Sequence, residues 1–325
     1  MSFIKDFEVL ATVGSGAFGK CQKIRRKSDR KILAWKVVST QKMSEFEEEM
    51  LIQEINLLRE LQHPNIVKCY DHFIDHQNKT VYIVMEYCVG GSLDSVIKDC
   101  TKQKSFLSEE YILRVLVQLT SALKLCHRRP DGSIVLHQDL KPANVFLDKD
   151  FSVKLGDFGL AHILPSRNDY IKAYDGTVKY MCPEKLNETF YHEKSDIWSL
   201  GCLIYELCAK RLPFNAPSGK LQDCVNRGAF KRIPAQYSDQ LNALIRDMLQ
   251  VVDFLRPSAE DILSSRLLAD HRAGDLDQLL HPSTSAAGLK PRDQQEATPN
   301  KWKRRLDTED HQASKRRREG LCDFS

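Results

Sequence analysis

Four polar residues in the middle of the chain stand at spacings that suit phosphoryl transfer. Asp139, Lys141 and Asn144 share one short segment, and Asp157 begins an Asp-Phe-Gly sequence. A carboxylate can accept the proton of a hydroxyl group, and a lysine can neutralise a phosphoryl group in transit. Amide and carboxylate oxygens are ligands that Mg²⁺ prefers. The sequence therefore predicts Asp139 and Lys141 as catalytic residues, and Asn144 and Asp157 as metal ligands.

Three neighbours of these residues are predicted to be structural. His137 is expected to hold the loop from the core, since the aspartate already provides a proton acceptor. Phe158 is expected to pack behind Asp157, and Gly159 to permit the sharp turn. An isolated Asp-Phe-Gly would favour an ordinary β-turn. The matching positions elsewhere in the chain make that coincidence implausible.

A glycine-rich segment, Gly14-Ser-Gly16-Ala-Phe-Gly19, could bring its backbone close to phosphate oxygens. The same pattern occurs in dinucleotide-binding folds, where a helix and a later acidic residue follow, and in plain glycine hairpins. Here a strand-like sequence follows, and the next distinctive residue is Lys36, in Leu-Ala-Trp-Lys. A lysine on that strand favours a phosphate-binding hairpin over both alternatives.

Lys36 needs an acidic partner that holds it toward the phosphates. Glu54 lies on a predicted helix beside apolar residues, where a paired carboxylate belongs, and it is the favoured partner. Glu47, Glu48 and Glu49 are rivals, but a solvated helix face explains them better.

Around these residues the sequence predicts a small sheet followed by helices. Residues 7–38 alternate as strands, residues 45–61 carry the apolar stripe of a helix, and residues 66–87 predict two more strands. Further on, Ser108 can cap a helix, and residues 195–209 predict a second apolar helix. The predicted fold class is α+β, with a small antiparallel β-sheet lobe that includes one helix and a larger, mainly α-helical lobe.

The composition limits the classes of function. With 325 residues, of which 42% are hydrophobic and 28% charged, the chain has an ordinary globular composition. A net charge of +4 is too small to indicate a nucleic-acid-binding protein. The ten cysteines form no C-x-x-C pair, and the first residues offer no secretory signal, so we expect reduced intracellular thiols and no zinc site. No apolar run approaches membrane-spanning length.

The dense apolar periodicity ends near residue 268. We expect one domain over residues 7–268 and a disordered polar tail over residues 269–325. In this tail Lys303-Arg-Arg305 and Lys315-Arg-Arg-Arg318 have bipartite nuclear-localisation spacing, which predicts an importin as a partner; a solvated basic run is the alternative. The tail shows no sustained heptad, so no coiled coil is expected and the oligomeric state stays open.

The motifs together resemble the eukaryotic protein kinase family over residues 7–268. A closer likeness, to the NIMA-related (Nek) kinases, rests on segments that include Ile24-Arg-Arg-Lys-Ser-Asp, Tyr82-Ile-Val-Met-Glu-Tyr-Cys and Glu193-Lys-Ser-Asp-Ile-Trp-Ser-Leu-Gly. The resemblance implies a bilobal fold, ATP and Mg²⁺ as cofactors, and transfer to serine or threonine of protein substrates. It also implies a role in mitosis or at the centrosome. With the basic clusters of the tail, we expect the protein in the cytoplasm and nucleus.

The resemblance extends to the residues around ATP. Met85 takes the gatekeeper position, and the backbone of Glu86 and Cys88 is expected to contact adenine. Cys21 stands where a valine normally covers adenine, and it is either a small packing residue or a thiol open to electrophiles. The predicted nucleotide-binding residues are Val13, Gly14, Ser15, Gly16, Ala17, Phe18, Gly19, Lys20, Cys21, Ala34, Lys36, Glu54, Met85, Glu86, Cys88 and Phe146.

Further residues are expected to hold the site together without doing chemistry. Glu184, in Met-Cys-Pro-Glu, can pair with Arg256 and so fix the activation segment. Asp196 can cap the backbone of the catalytic loop, and Thr177 is expected to contact the catalytic aspartate.

Gln138 departs from the family pattern, because most kinases of this kind carry an arginine there that grips a phosphorylated residue. The segment between Arg167 and Gly176 contains no serine or threonine, and Asp169 and Asp175 could act as fixed negative charges. Glutamine cannot form a bidentate charged clamp. We therefore expect an enzyme that is independent of activation-loop phosphorylation.

Two other classes of function fit the sequence less well. A pseudokinase would bind nucleotide and partners without catalysis, but such proteins lose the equivalents of Lys36, Asp139 or Asp157, and all three are kept here. A nucleic-acid-binding protein is disfavoured because the basic runs are confined to a short tail.

Overall fold

The computed structural model of the chain describes residues 3–16, 19–166, 169, 176–216 and 220–269. Within these residues the chain divides into two compact units, one made of residues 3–45 and 69–87 and the other of residues 46–68 and 88–269. Three sets of predictions fall outside the described residues: Ala17 and Phe18, most of the activation loop (167, 168 and 170–175), and the tail from residue 270.

The first unit is a five-stranded antiparallel sheet. Its strands are β1 (Phe7–Gly16), β2 (Gly19–Arg26), β3 (Ile32–Ser39), β4 (Cys69–Asp75) and β5 (Thr80–Glu86). They lie in the order β1-β2-β3-β5-β4, so β4 follows β5 at one edge. The predicted strands over residues 7–38 and 66–87 are confirmed.

One face of this sheet is closed by aromatic and aliphatic side chains. Ile24, Leu33 and Trp35 are buried there. The Phe7 ring lies 5.7 Å from that of Trp35, whose indole N–H donates to the side chain of Gln22 at 2.9 Å. A buried tryptophan needs such a partner, because an unpaired indole N–H would lose its hydrogen bond to water.

Strand β1 does not bury the apolar alternation that its sequence shows. Val9 and Val13 are each 49% exposed. The pairing of β1 with β2 shifts register between Val9 and Ala11 and again between Thr12 and Gly14. Each such irregularity adds a residue to β1, so the period of two is interrupted beyond Val9 and does not continue along the strand.

The second unit is mainly helical. Its helices are α1 (Glu45–Glu60), α2 (Leu93–Lys102), α3 (Glu109–His127), α4 (Pro183–Leu186), α5 (Glu193–Ala209), α6 (Leu221–Arg227), α7 (Asp239–Met248) and α8 (Ala259–Ser264). The α+β class with a sheet lobe and a helical lobe, predicted above, is confirmed, but α1, which was predicted as part of the sheet lobe, lies in the second unit. No helix in the described part of the chain is long and apolar enough to cross a membrane.

The core of this unit lies around α3 and α5. The Ser108 hydroxyl accepts the N–H of Tyr111 at 3.2 Å and begins α3, as predicted. Leu119 on α3 is fully buried, and Trp198 on α5 stacks on Phe214 with 5.2 Å between ring centroids. Helix α5 begins at Glu193 rather than at residue 195.

Five short strands of the second unit carry the loops that hold the site. They are β6 (Gly91–Ser92), β7 (Ile134–Leu136), β8 (Val145–Leu147), β9 (Val153–Leu155) and β10 (His162–Leu164). Strands β6, β8 and β9 form one sheet, and β7 pairs with β10. The loop from β7 to β8 contains Asp139, Lys141 and Asn144, and Asp157 follows β9 closely.

Candidate active site

Asp196, near the start of α5, fixes the backbone of the loop between β7 and β8. Its carboxylate accepts the N–H of His137 at 3.0 Å and the N–H of Gln138 at 2.9 Å, and it shares a 2.9 Å hydrogen bond with the ring of His127. Burial opposes the ionisation of Asp196, but the interactions with His127 and His137 together outweigh it, and the pKa lies below its ordinary value. The predicted capping by Asp196 is confirmed, and His127 was not anticipated.

Four donor groups converge on the carboxylate of Asp139. Oδ1 accepts the backbone N–H of Thr177 at 3.0 Å and its hydroxyl at 2.7 Å. Oδ2 accepts the Lys141 ammonium group at 2.8 Å and the Asn144 amide at 2.9 Å. Lys141 also donates to the Thr177 hydroxyl at 2.7 Å, so that hydroxyl links the lysine to the aspartate. The structure therefore brings together three of the predicted residues and adds the expected contact from Thr177.

A backbone hydrogen bond joins the two segments that carry the predicted metal ligands. The Asn144 side-chain N–H group donates both to the main-chain oxygen of Asp139 and to its carboxylate, each at 2.9 Å. The amide oxygen is therefore the ligand that Asn144 can offer. Gly156 donates its N–H to the Asn144 carbonyl at 3.0 Å, which brings the residue before Asp157 to this point. One amide oxygen and one exposed carboxylate form a donor set that fits Mg²⁺.

The Asp-Phe-Gly segment contains the predicted turn and one backbone feature that was not predicted. Asp157 itself has a left-handed backbone with φ of 61°, whereas Gly159 is not among the residues with positive φ. Aspartate tolerates this conformation better than most residues because its short polar side chain can hydrogen-bond locally. Gly159 lies in a turn that the Ala161 N–H closes by donating to the Phe158 carbonyl at 3.0 Å, so the predicted turn at Gly159 is confirmed.

His137 and Phe158 support the loop from below. The His137 ring is fully buried, and its Nε2 shares a 3.0 Å hydrogen bond with the carbonyl of Gly156. The Phe158 ring is 1% exposed and meets the His137 ring edge-on, with 4.8 Å between centroids. Both predicted structural roles are confirmed.

A buried ion pair fixes the segment that follows Thr177. Arg256 donates to the two carboxylate oxygens of Glu184 at 2.6 and 2.7 Å, and the Ser195 hydroxyl donates at 2.9 Å. Burial opposes the ionisation of Glu184, but Arg256 outweighs it and the pKa of Glu184 lies below its ordinary value. The predicted pair is confirmed.

The first unit places several predicted nucleotide-binding residues on adjacent strands. Cys21 on β2 stands opposite Lys36 on β3, and Ala34 on β3 stands opposite Met85 on β5. Gly19 has φ of 135°, and a Cβ there would lie 2.1 Å from the Val37 carbonyl oxygen, so only glycine fits.

The remaining predicted nucleotide-binding residues lie on both units. Of those in the first unit, Ser15 pairs with Lys20, Gly16 pairs with Gly19, Gly14 stands opposite Cys21, Val13 lies on β1, and Glu86 ends β5. In the second unit Glu54 is buried on α1, Phe146 lies on β8, and Cys88 is partly buried. The predicted pairing of Lys36 with Glu54 joins residues of different units and stays a prediction.

Lys185 and Tyr191 are site residues that the sequence did not reveal. The Gln138 side-chain oxygen accepts the Lys185 ammonium group at 2.6 Å and the Tyr191 hydroxyl at 2.7 Å. Lys185 is only 4% exposed, which is uncommon for a lysine. Lys185 sits in a short helix with no apolar periodicity, so no sequence pattern marks it as buried.

Residues 7–268 match the family described as Protein kinase domain. Human serine/threonine-protein kinase Nek2 is 58% identical over 268 residues, which cover 82% of this chain and 60% of that protein. The probable serine/threonine-protein kinase nek2 of Dictyostelium discoideum is 42% identical over 258 residues, which cover 79% of this chain and 61% of that protein.

A more distant relative belongs to the same group. The G2-specific protein kinase nimA of Emericella nidulans is 37% identical over 286 residues, which cover 81% of this chain and 41% of that protein. The chain thus spans 60% of the length of its human relative and less of the fungal one.

Proposed function

Because the chain belongs to the protein kinase family, we propose that it transfers the γ-phosphate of ATP to serine or threonine hydroxyls of protein substrates. Its relatives are Nek2 and nimA kinases, so the resemblance to the NIMA-related group is confirmed. The observation that carries the proposed activity is the Asp139 carboxylate, which four donors hold in one orientation.

Asp139 is the proposed acceptor for the proton of the substrate hydroxyl. A general base must lie within hydrogen-bond reach of that hydroxyl, and its orientation matters before its basicity. Thr177 brings the activation segment to Asp139, so a peptide that lies along this segment would present its hydroxyl to the carboxylate. Lys141, in contact with both residues, supplies a positive charge beside the group in transfer.

Asn144 and Asp157 are the proposed ligands of Mg²⁺. The ion, when bound, would neutralise charge on the phosphate oxygens of ATP. Asn144 has a second task, because its amide N–H group orients Asp139 while its oxygen serves the metal. We assign the nucleotide contacts to the glycine hairpin, to Lys36 with Glu54, and to the other residues predicted from the sequence.

The decisive experiment compares the full chain with its Asp139→Asn variant in a radiolabelled ATP assay on protein substrates. We expect transfer to fall by about 1,000-fold, since positioned proton acceptors contribute roughly 10²–10⁴-fold. Exposed Asp150→Asn is the matched control and should leave the rate unchanged. Equal transfer by wild type and Asp139→Asn would overturn the proposal and favour a catalytically silent scaffold, which nothing in the comparisons supports.

We also propose a role in cell-cycle control, because the relative from Emericella nidulans is named a G2-specific kinase. The two basic clusters of the tail, Lys303–Arg305 and Lys315–Arg318, support entry into the nucleus, with a cytoplasmic and centrosomal fraction proposed from the resemblance alone. Alanine replacement of both clusters in a fluorescent fusion should shift the protein toward the cytoplasm. An unchanged nuclear fraction would contradict the import proposal.

A further inference from the structure

The backbone N–H and the backbone carbonyl of Gln138 contact two different parts of the structure. Its N–H donates to Asp196 at 2.9 Å, and its φ of 66° places it in the left-handed region. On the other side its carbonyl oxygen lies where it would be 2.7 Å from a Cβ at position 176. Only glycine permits this approach, so Gly176, next to Thr177, rests directly on the backbone of Gln138.

The side chain of Gln138 completes a buried polar cluster with Lys185 and Tyr191. The glutamine oxygen accepts from both, and the Lys185 ammonium group lies 4.7 Å from the centroid of the Tyr191 ring. A Cβ at Gly176 would lie 3.7 Å from that ammonium group. The Lys185 ammonium group therefore lies beside both Gln138 and Gly176. These residues directly precede Asp139 and Thr177.

The positive charge in this cluster belongs to Lys185 and not to residue 138. The sequence pattern of most kinases leads one to expect a cation at position 138, on the catalytic loop, but Gln138 is neutral. Among the described residues, the cation that contacts the side chain of Gln138 is Lys185, on α4. An arginine at position 138 would bring a second positive charge within a few ångströms of a buried ammonium group, where repulsion is weakly screened.

We propose that Lys185 is a positioning residue for catalysis, which anchors Gln138 and the Gly176–Thr177 segment and so holds Asp139 in its working orientation. Lysine at 185 and glutamine at 138 thus form a matched pair, and the two side-chain types should be exchangeable only together. This inference rests on the proposed kinase activity, because positioning is measured through turnover.

The test uses four forms of the full chain: wild type, Gln138→Arg, Lys185→Gln, and the variant with both changes. We expect each single change to lower kcat at least about tenfold while the KM for ATP stays within about twofold, since the altered groups lie at the loop and not on the nucleotide. The double variant should recover to within about threefold of wild type, because it restores one cation and one neutral amide. Lys149→Gln, at an exposed lysine, is the matched control.

Two results would overturn the inference. One is a Lys185→Gln variant with wild-type kcat, and the other is a double variant whose loss equals the product of the two single losses. Unfolding midpoints of the four proteins report the same coupling without turnover, and additive lowering there would also count against the matched pair. If wild type transfers no more phosphate than Asp139→Asn, the proposed function fails, and the midpoints alone decide whether the pair is coupled.

Discussion

The buried pair of Glu184 and Arg256 makes the fold depend on a single carboxylate. We predict that Glu184→Gln will strongly lower the stability of the domain although it changes the shape of the side chain little. In the wild type both carboxylate oxygens accept from Arg256, and one also accepts from Ser195. The variant places an N–H₂ group against one of these donors and leaves the guanidinium charge buried without its counter-charge.

The expected loss in the free energy of unfolding follows from the low solvent exposure of the two side chains. The Arg256 side chain is 0% exposed and that of Glu184 10%, so solvent offers little compensation. Breaking a buried pair by removing one charge costs about 3–5 kcal/mol. Arg256 keeps its bonds to the carbonyl oxygens of Gln250 and Lys194, which favours the lower end, about 3 kcal/mol. At roughly 2–4 °C per kcal/mol for a domain of this size, Tm should fall by about 6–12 °C.

The stabilising contribution of Glu184 should also depend on pH, in a direction that its pKa sets. The pKa of Glu184 is lowered in the folded state from its ordinary value of 4.5. A lowered pKa means that the stabilising contribution is complete above the unfolded value and is lost as the pH falls through the folded value. The difference in Tm between wild type and Glu184→Gln should therefore be constant above about pH 6 and narrow below pH 4.5.

Thermal unfolding followed by circular dichroism between pH 3.5 and 8 (on the order of ten pH values) would measure both effects. Glu188→Gln, at an exposed glutamate just after α4, is the control and should keep the wild-type Tm. A fall of less than about 2 °C at pH 7, or a difference that widens in acid, would refute the assignment of Glu184 as a buried, ionised partner of Arg256.

Three further predictions concern activity. Thr177→Ala removes a hydroxyl that contacts Asp139 and Lys141, so kcat should fall by about 10- to 100-fold while Thr177→Ser retains most of it; equal rates for the two variants in a steady-state assay would contradict this role. Because Gln138 cannot clamp a phosphate, phosphatase treatment should leave kcat within about twofold of the untreated enzyme, and loss of activity in a variant that lacks Ser166 and the tail sites would disprove it. Position 143, in the catalytic loop, is alanine and offers no carboxylate to an arginine upstream of the acceptor in a substrate peptide. A peptide array should therefore favour leucine or phenylalanine upstream of the acceptor, and dominance of arginine would count against this.

The proposed catalytic residues could be named from the sequence because they are close together along it. Asp139, Lys141 and Asn144 lie in one loop, and a loop that must present three polar groups to one point restricts which residue types can stand at each position. The helices were also recoverable, since an apolar stripe and a capping serine such as Ser108 are local signals. The exposure of the valines of β1 could not be predicted from the sequence, because a shift in strand register depends on the partner strand.

Backbone conformation was harder to predict than residue identity. Glycine is the expected residue wherever the chain turns sharply, yet the left-handed residue of Asp-Phe-Gly is Asp157. Local preference is a matter of about 1–2 kcal/mol, and tertiary contacts such as the packing of Phe158 against His137 can outweigh it.

The sequence by itself indicated the proposed chemistry of this chain and determined the family to which it belongs. It also showed that position 138 lacks the expected arginine. Only the tertiary structure decided what replaces that charge, because the contacts of Gln138 with Lys185 and Tyr191 join residues 47 and 53 positions apart. No periodicity connects residues at such separations; folding brings them together, and a buried lysine acquires its role from the neighbours that satisfy its hydrogen bonds.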